Sequence, residues 1–502
     1  MGIKTAEEYI RSLKDGRLIY ADGQKIEDIT HTKHAALKAG LRLALLEYIM
    51  AYDQQFRNML VEIDENGEAC HSIYRIPRTT NDLLRKRDII QLLARNCYGF
   101  PGATHVTGID ALHALAAVCK RIDAESGTDY AARLCSFRET CKHKDLGLAC
   151  GMFVAGRRTE NIPRPVHQDF SIKVVDRSNQ GITVSGVMAH ITFAPYVHEI
   201  IIMPAHSLQE EDSDRAVAFA VPINAAGISL VLPHSDLVEG KNSLDHPWLS
   251  KVYSADSTVI FDNVFIAIER IFMLGEYQHA GHAARLFAAI HRLSSDSRKI
   301  VELESLVGSA FLIAEQNGLE KYPHIREKLA QLVYYSESTD ALTYAAIMNC
   351  ITDSDSGYVF PNPLLSNLAK YTFASYWHHS VQLVHDIAGG LLATMPSYID
   401  FQHPHLHNKL EPYFTGREGA PAEERIRAVN LVRDLTMPEV ASATIHGEGS
   451  LAMQKMAILR EADRKRYLSA ARRFAGIKDR DPHPYFSKII DVSQTDDLLS
   501  DT

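Results

Sequence analysis

Residues 170–194 read FSIKVVDRSNQGITVSGVMAHITFA, two β-branched runs joined through Asn179, Gln180 and Gly181. Runs of this kind, bounded by turn residues, are the mark of paired strands. Four more follow: EIIIMPA at 199–205, AVAFAVPI at 216–223, GISLVLP at 227–233 and STVIFDNVFI at 257–266. Most are too short for helices, and their close spacing predicts an antiparallel barrel or sandwich over residues 145–275. Toward the N-terminus the texture changes, since Leu37, Leu41, Ala44, Leu45 and Tyr48 recur at helical spacing. Residues 1–144 are therefore expected to be mostly helical. The exception is GRLIYADGQKIEDI at 16–29, where Asp22-Gly23 between β-prone runs predicts a hairpin. Toward the C-terminus the helical period returns at 281–317, 323–350, 363–389, 421–436 and 450–475, broken at Gly318, Pro323, Pro361, Pro363, Gly389, Gly390 and Pro396. A helical bundle over 276–478 is implied, followed by an acidic, turn-rich tail at 479–502.

A chain of 502 residues with 46% hydrophobic composition can bury a large core in several domains. Its formal charge of -9, with no basic stripe, argues against nucleic acid as a partner. The charged N-terminus has no apolar run for a signal peptide or membrane span, so the cytoplasm is expected. Seven cysteines lie without any C-x-x-C pair, which suggests reduced thiols acting as small hydrophobes rather than a disulfide framework.

Helices, then a β block, then a long bundle is the order of acyl-CoA dehydrogenases, in which a flavin lies between β domain and bundle. The expected class is thus α+β, acyl-CoA dehydrogenase-like, with an N-terminal helical domain, a central antiparallel β-barrel and a C-terminal bundle. More specifically, GRLIYADGQKIEDIT (16–30), ITVSGVMAHITFAPYVHEIIIMP (182–204), FDNVFIAIERIFMLGE (261–276), FAAIHR (287–292), AGGLLATMPSYID (388–400) and ATIHGEGS (443–450) resemble the family of 4-hydroxyphenylacetate 3-monooxygenase and 4-hydroxybutyryl-CoA dehydratase. The resemblance runs from about Thr5 to Ile477, and HRLSSDSRKIVELESLVG (291–308) is more similar to the dehydratase branch. It implies FAD as cofactor and a homo-oligomer, a dimer or a tetramer.

The dehydratase branch holds a [4Fe-4S] cluster with three cysteines and one histidine. This sequence keeps the histidine, His291, but has Gly102, Val106 and Arg298 where the cysteines fall. None of the three offers a soft anionic ligand, so an iron–sulfur cluster is not expected. At the positions with which the hydroxylase branch holds its phenol stand Ala103, Thr107 and Cys150. Ala103 cannot donate to a phenolate, which makes a simple phenol a poor substrate.

The resemblance places Thr192 near the flavin N5, with His190 as a neighbouring donor and Met152 lining the ring. Arg157 and Arg158 either serve the flavin pyrophosphate or are solvated loop charges. His291, freed from a metal, could act as general base or be a core histidine bonded to a carbonyl. Lys299, one position beyond the lost third cysteine, could polarise a carbonyl, or be a surface lysine. Asp256 stands where the dehydratase branch has a catalytic glutamate. In His446-Gly447-Glu448-Gly449-Ser450 the glycines would let a backbone approach flavin or phosphate oxygen at a helix start, and Glu448 either is a catalytic acid or base or caps that helix. The favoured activity is a two-component monooxygenase supplied with reduced flavin by a separate reductase, since no nucleotide-binding G-x-G-x-x-G is visible. The alternative is a redox-neutral dehydratase or isomerase acting on an acyl thioester. A non-catalytic scaffold is the third class.

Overall fold

The structure, a computed structural model, describes residues 2–100, 104–152, 171–234 and 242–487. Two units are distinguished, Met1–Leu451 and Ala452–Thr502. The larger begins with the helical segment expected from the apolar period. Its main helices are Ala35–Tyr52, Thr80–Asn96, Val106–Ser126 and Tyr130–Lys144. The hairpin at Asp22-Gly23 is present as strands Ile19–Ala21 and Gln24–Ile26, with both turn residues at positive φ, 48° and 76°. That is the geometry an Asp-Gly turn supplies with least strain.

The β block differs from expectation. Among the described residues it forms two open sheets rather than a closed antiparallel barrel. One has six strands, ordered Gln24–Ile26, Ile19–Ala21, Ile228–Val231, Ser257–Ala267, Gly181–Ile191, Lys173–Ser178. The other has four, ordered Ile271–Leu274, Val217–Pro222, Glu199–Ile202, Leu148–Gly151. Each sheet includes one parallel pair, Ile19 opposite Leu230 and Leu148 opposite Glu199. Neither pair is joined by a hairpin, since a long stretch of chain separates Ile19–Ala21 from Ile228–Val231 and Leu148–Gly151 from Glu199–Ile202, which leaves the parallel arrangement open to them. Leu148–Gly151 and Glu199–Ile202 are buried at every position, as strands covered on both faces must be.

One continuous core joins these layers. Ile109 and Leu112 of the Val106–Ser126 helix, Ile200 and Ile201 of the small sheet, and Ile290 of the Tyr277–Gln316 helix share it. A second core lies inside the bundle, where Leu306, Leu332, Phe373, Trp377 and Val432 meet from the helices Tyr277–Gln316, Pro323–Met348, Pro363–Ala388 and Ala422–Leu435. Short helices at Tyr398–Gln402 and Pro404–Phe414 fill the stretch after Pro396. No helix among the described residues is long and apolar enough to cross a membrane.

In the smaller unit the expected helix over 450–475 is two, Leu451–Glu461 and Arg464–Phe474. Asp463 caps the second by accepting from the Arg466 N–H, which ends the first. Asp479 closes the following turn onto Ser469 and Arg472.

Candidate functional site

The Tyr277–Gln316 helix carries the site's densest chemistry. His291 stacks on Phe287 one turn earlier, with ring centroids 4.9 Å apart, and its Nδ1 lies 2.8 Å from Asp110 Oδ2. Asp110 comes from the Val106–Ser126 helix and is fully buried. Its other oxygen is 2.8 Å from the Lys86 ammonium and accepts from the Ser294 hydroxyl at 3.1 Å. Burial alone would raise the Asp110 carboxyl, but Lys86 and then His291 hold it below the ordinary range. An ionised Asp110 can only accept, so Nδ1 of His291 carries the hydrogen and Nε2 keeps its lone pair.

Two turns on, Lys299 is completely buried and donates to Ser295 and to Glu448. The turn after helix Pro438–His446 delivers Glu448, at a positive φ of 59°. A second buried lysine, Lys370 of helix Pro363–Ala388, lies 3.5 Å from the same carboxylate. Burial would raise Glu448, and Lys299 followed by Lys370 overcome it, holding the carboxyl well below its usual range. An imidazolium at His291 would add to the same field. The flanking glycines do less than expected for a ligand, since the Gly447 and Gly449 N–H groups donate to Ala443 and His446 within the turn. His446 itself is exposed.

Thr192 and Asp256 meet at the end of the large sheet. Ile191 is in register with Ser257, and the Phe193 N–H donates to the Ser254 carbonyl at 3.0 Å just beyond. Asp256 accepts from the Ser254 hydroxyl at 3.1 Å, while its Oδ1 is buried with no hydrogen-bond partner among the described residues. Met152 is buried directly after strand Leu148–Gly151, whose last residue packs against Ile191. His190, at φ 60°, is exposed. Arg157, Arg158, Gly102 and Ala103 lie outside the described residues. Of the remaining departures from the relatives, Val106 is buried, Arg298 pairs with Glu302, and the Cys150 thiol is pushed up by burial, then by nearby Asp110.

Asp110, Lys86, Lys370 and Asp296 were not anticipated from sequence. Asp110 and Lys370 are each a lone charge in a mostly apolar helical run, VTGIDALHALAAV and LLSNLAKYTFASYW, and that was the available signal, whereas Lys86 in LLRKRDII and Asp296 in SSDSRK stand among other charges and gave none.

A further buried trio, Glu47, His71 and His105, has its ligand-type atoms within 4.8 Å of one another. Protons hold it together. His71 Nδ1 accepts from the Ile73 N–H, so its Nε2 bears the hydrogen and has no lone pair to offer a metal. His105 lies between Glu47 at 2.8 Å and Asp145 at 3.3 Å.

Comparison with known proteins gives the family. Residues 5–273 match the family described as 4-hydroxyphenylacetate 3-hydroxylase N terminal, and residues 280–476 match its C terminal counterpart. The chain is 27% identical over 498 residues to the 4-hydroxybutyryl-CoA dehydratase/vinylacetyl-CoA-Delta-isomerase of Clostridium aminobutyricum, covering 95% of this chain and 100% of that one. Among solved structures, the oxygen-tolerant 4-hydroxybutyryl-CoA dehydratase of N. maritimus superposes with a TM-score of 0.87 at 26% identity over 98% of both chains. The oxygenase component of 4-hydroxyphenylacetate 3-monooxygenase complexed with FAD gives 0.85 at 25% identity, covering 94% of this chain and 98% of that one. With both halves matched and the helix–sheet–bundle order shared, this chain belongs to the 4-hydroxyphenylacetate 3-hydroxylase family, whose relatives are enzymes.

Proposed function

We propose that the protein is an FAD-dependent oxygenase component, supplied with reduced flavin by a separate reductase and acting on a small organic substrate other than a simple phenol. The observation that carries this reading is the Asp110–His291 dyad beside Lys299 and Glu448. It supplies an oriented base without any site for the dehydratase's cluster, because Arg298, paired with Glu302, stands where a thiolate would be needed. The residues also fit a flavin. Asp256 Oδ1 is a buried acceptor without a donor among the described residues, beside Thr192 at the same sheet end, and a ring N–H or ribityl hydroxyl is the kind of donor that suits it. Met152, Thr192 and Asp256 would hold the ring.

Bound reduced flavin supplies the electron pair that activates oxygen. The chain's own residues prepare the substrate. Asp110 fixes the imidazole tautomer, and Nε2 of His291 takes a proton from a substrate O–H or C–H, leaving the electron pair on the substrate. Lys299, held in place by its ion pair with Glu448, is positioned to stabilise negative charge that develops nearby. Cys150, uncharged at neutral pH, gives no counter-charge for a phenolate, which supports a different substrate.

A second reading is supported by the same base and by the similarity to the dehydratases. It is redox-neutral removal of an α-proton from an acyl thioester.

The two separate in one experiment, anaerobic titration with photoreduced FAD followed by rapid mixing with oxygenated buffer. The oxygenase reading expects a transient whose spectrum matches neither reduced nor oxidised FAD. Monotonic reoxidation favours the thioester reading, whose mark is exchange of α-deuterium in an acyl-CoA, lost in H291Q. Absence of flavin binding in both redox states sinks both.

A further inference from the structure

The Lys299–Glu448 pair has two companions that the proposed chemistry leaves unused. Asp296, one turn before Lys299, is 1% exposed, and neither carboxyl oxygen has a hydrogen-bond partner among the described residues. Lys370 is 0% exposed, and besides Glu448 its ammonium donates to the carbonyls of Thr444 at 3.1 Å and Ile445 at 3.3 Å. Both lysine Nζ atoms lie over the ring of Phe373, at 5.5 and 5.7 Å. The other charges acting on the cluster are Arg292 on Asp296 and Arg298 on Glu448, to which His291 adds only in its imidazolium form.

Charge counting shows what this arrangement can do. With all four groups ionised the cluster is neutral, but Asp296 is then a buried carboxylate without a donor among the described residues, a costly state. Protonating Asp296 removes that cost and leaves a net charge of +1. Neutrality returns if one proton departs, from Asp296 or from Lys370. Burial pushes Asp296 up to about 7, and burial followed by Lys299 brings Lys370 down to about 7. Glu448 stays ionised throughout, and it is the most exposed of the four, with 14% of its side chain accessible.

We infer that Asp296 and Lys370, coupled through the field of the cluster rather than by direct contact, together govern one proton that exchanges with solvent, so that the cluster behind Glu448 alternates between a net charge of +1 and zero and favours an anionic reduced flavin over the neutral oxidised ring only while the proton is held. This rests on the reading that the cleft takes flavin. Asp296 and Lys370 act through Glu448 and Lys299, as positioning residues. In the charged state the cluster attracts the reduced ring, and loss of the proton to solvent removes the attraction.

Two measurements test it. The first needs no flavin: the infrared difference spectrum of the protein between pH 6 and pH 8. A carbonyl band of a buried, protonated carboxyl group is expected to weaken as pH rises, and to be missing from D296N. A native protein without this band, or a band that persists in D296N, overturns the inference. The second is the ratio of dissociation constants for oxidised and reduced FAD across the same range. It is expected to change up to about tenfold per pH unit at the steepest point, as one linked proton allows, beyond the pH dependence left in D296N/K370M. Equal pH dependence in native and double variant overturns the coupling to flavin. If no FAD binds but the infrared band behaves as expected, the shared proton stands and the flavin reading falls.

Discussion

Glu448 occupies a backbone conformation, φ 59°, that costs an L side chain about 1–2 kcal/mol. It is tolerated because its carboxylate is the common counter-charge of two fully buried lysines. E448G relieves the backbone but strands both ammoniums, and breaking a buried pair costs about 3–5 kcal/mol. A net loss of about 2 kcal/mol or more is therefore expected in urea denaturation, and an E448G protein as stable as the native one would show that the lysines do not depend on the carboxylate. Asp110 makes a parallel case. D110A leaves Lys86 buried and unpaired, a loss of about 3–5 kcal/mol, part of which K86M/D110A should restore. If the double variant is no more stable than D110A, Lys86 is not the source of the cost. His291, Lys299 and Glu448 could be singled out beforehand because they lie in motifs shared with relatives. Asp110 and Lys370 could not, since their roles arise from contacts with residues 181 and 78 positions away.

At the scale of elements, the site depends on how closely the Val106–Ser126 helix approaches strand Leu148–Gly151. Gly108 is the contact point, where an added Cβ would lie 2.3 Å from Leu148 Cβ and 2.6 Å from its carbonyl carbon. G108A must push helix and strand apart, and the expected destabilisation is about 1–3 kcal/mol, read from the urea midpoint. Asp110, two residues along, would move with the helix, so the same variant should also perturb the His291 ring signals in NMR. An unchanged midpoint would mean that the spacing is not tight. The long helices were readable in advance because their apolar period repeats over many turns. The helix Pro404–Phe414 was not, because Pro404 suggests a break, whereas at the first helical position its missing N–H costs nothing. Strand pairing was equally hidden. Nothing local to Ile19 or Leu148 reveals a parallel partner at Leu230 or Glu199.

At the scale of the whole molecule, the larger unit is tied together at its N-terminal end by charge as well as by apolar packing. Burial would lower His105, but Glu47 and then Asp145 raise it to about 9. Its pKa exceeds the unfolded value of about 6.5, so the stability it contributes is complete below about pH 6.5 and is lost as pH rises to about 9. At about 1.4 kcal/mol per unit the difference is about 3 kcal/mol. Chemical denaturation at the two pH values should show this loss in the native protein and a flatter dependence in H105Q; equal slopes would remove His105 as the cause. Composition and periodicity alone were enough to establish a helical segment, a β block and a helical bundle, because burial of apolar side chains imposes periods of 3.6 and 2 that survive in any linear reading. Shared motifs narrowed this to a family. They could not distinguish an open pair of sheets from a barrel, or reveal that Asp110 orients His291 and that Glu448 pairs with both Lys299 and Lys370. Strand register and buried charge pairing join residues far apart in the chain, and the energies that select them exist only once desolvated groups stand within a few ångströms of each other.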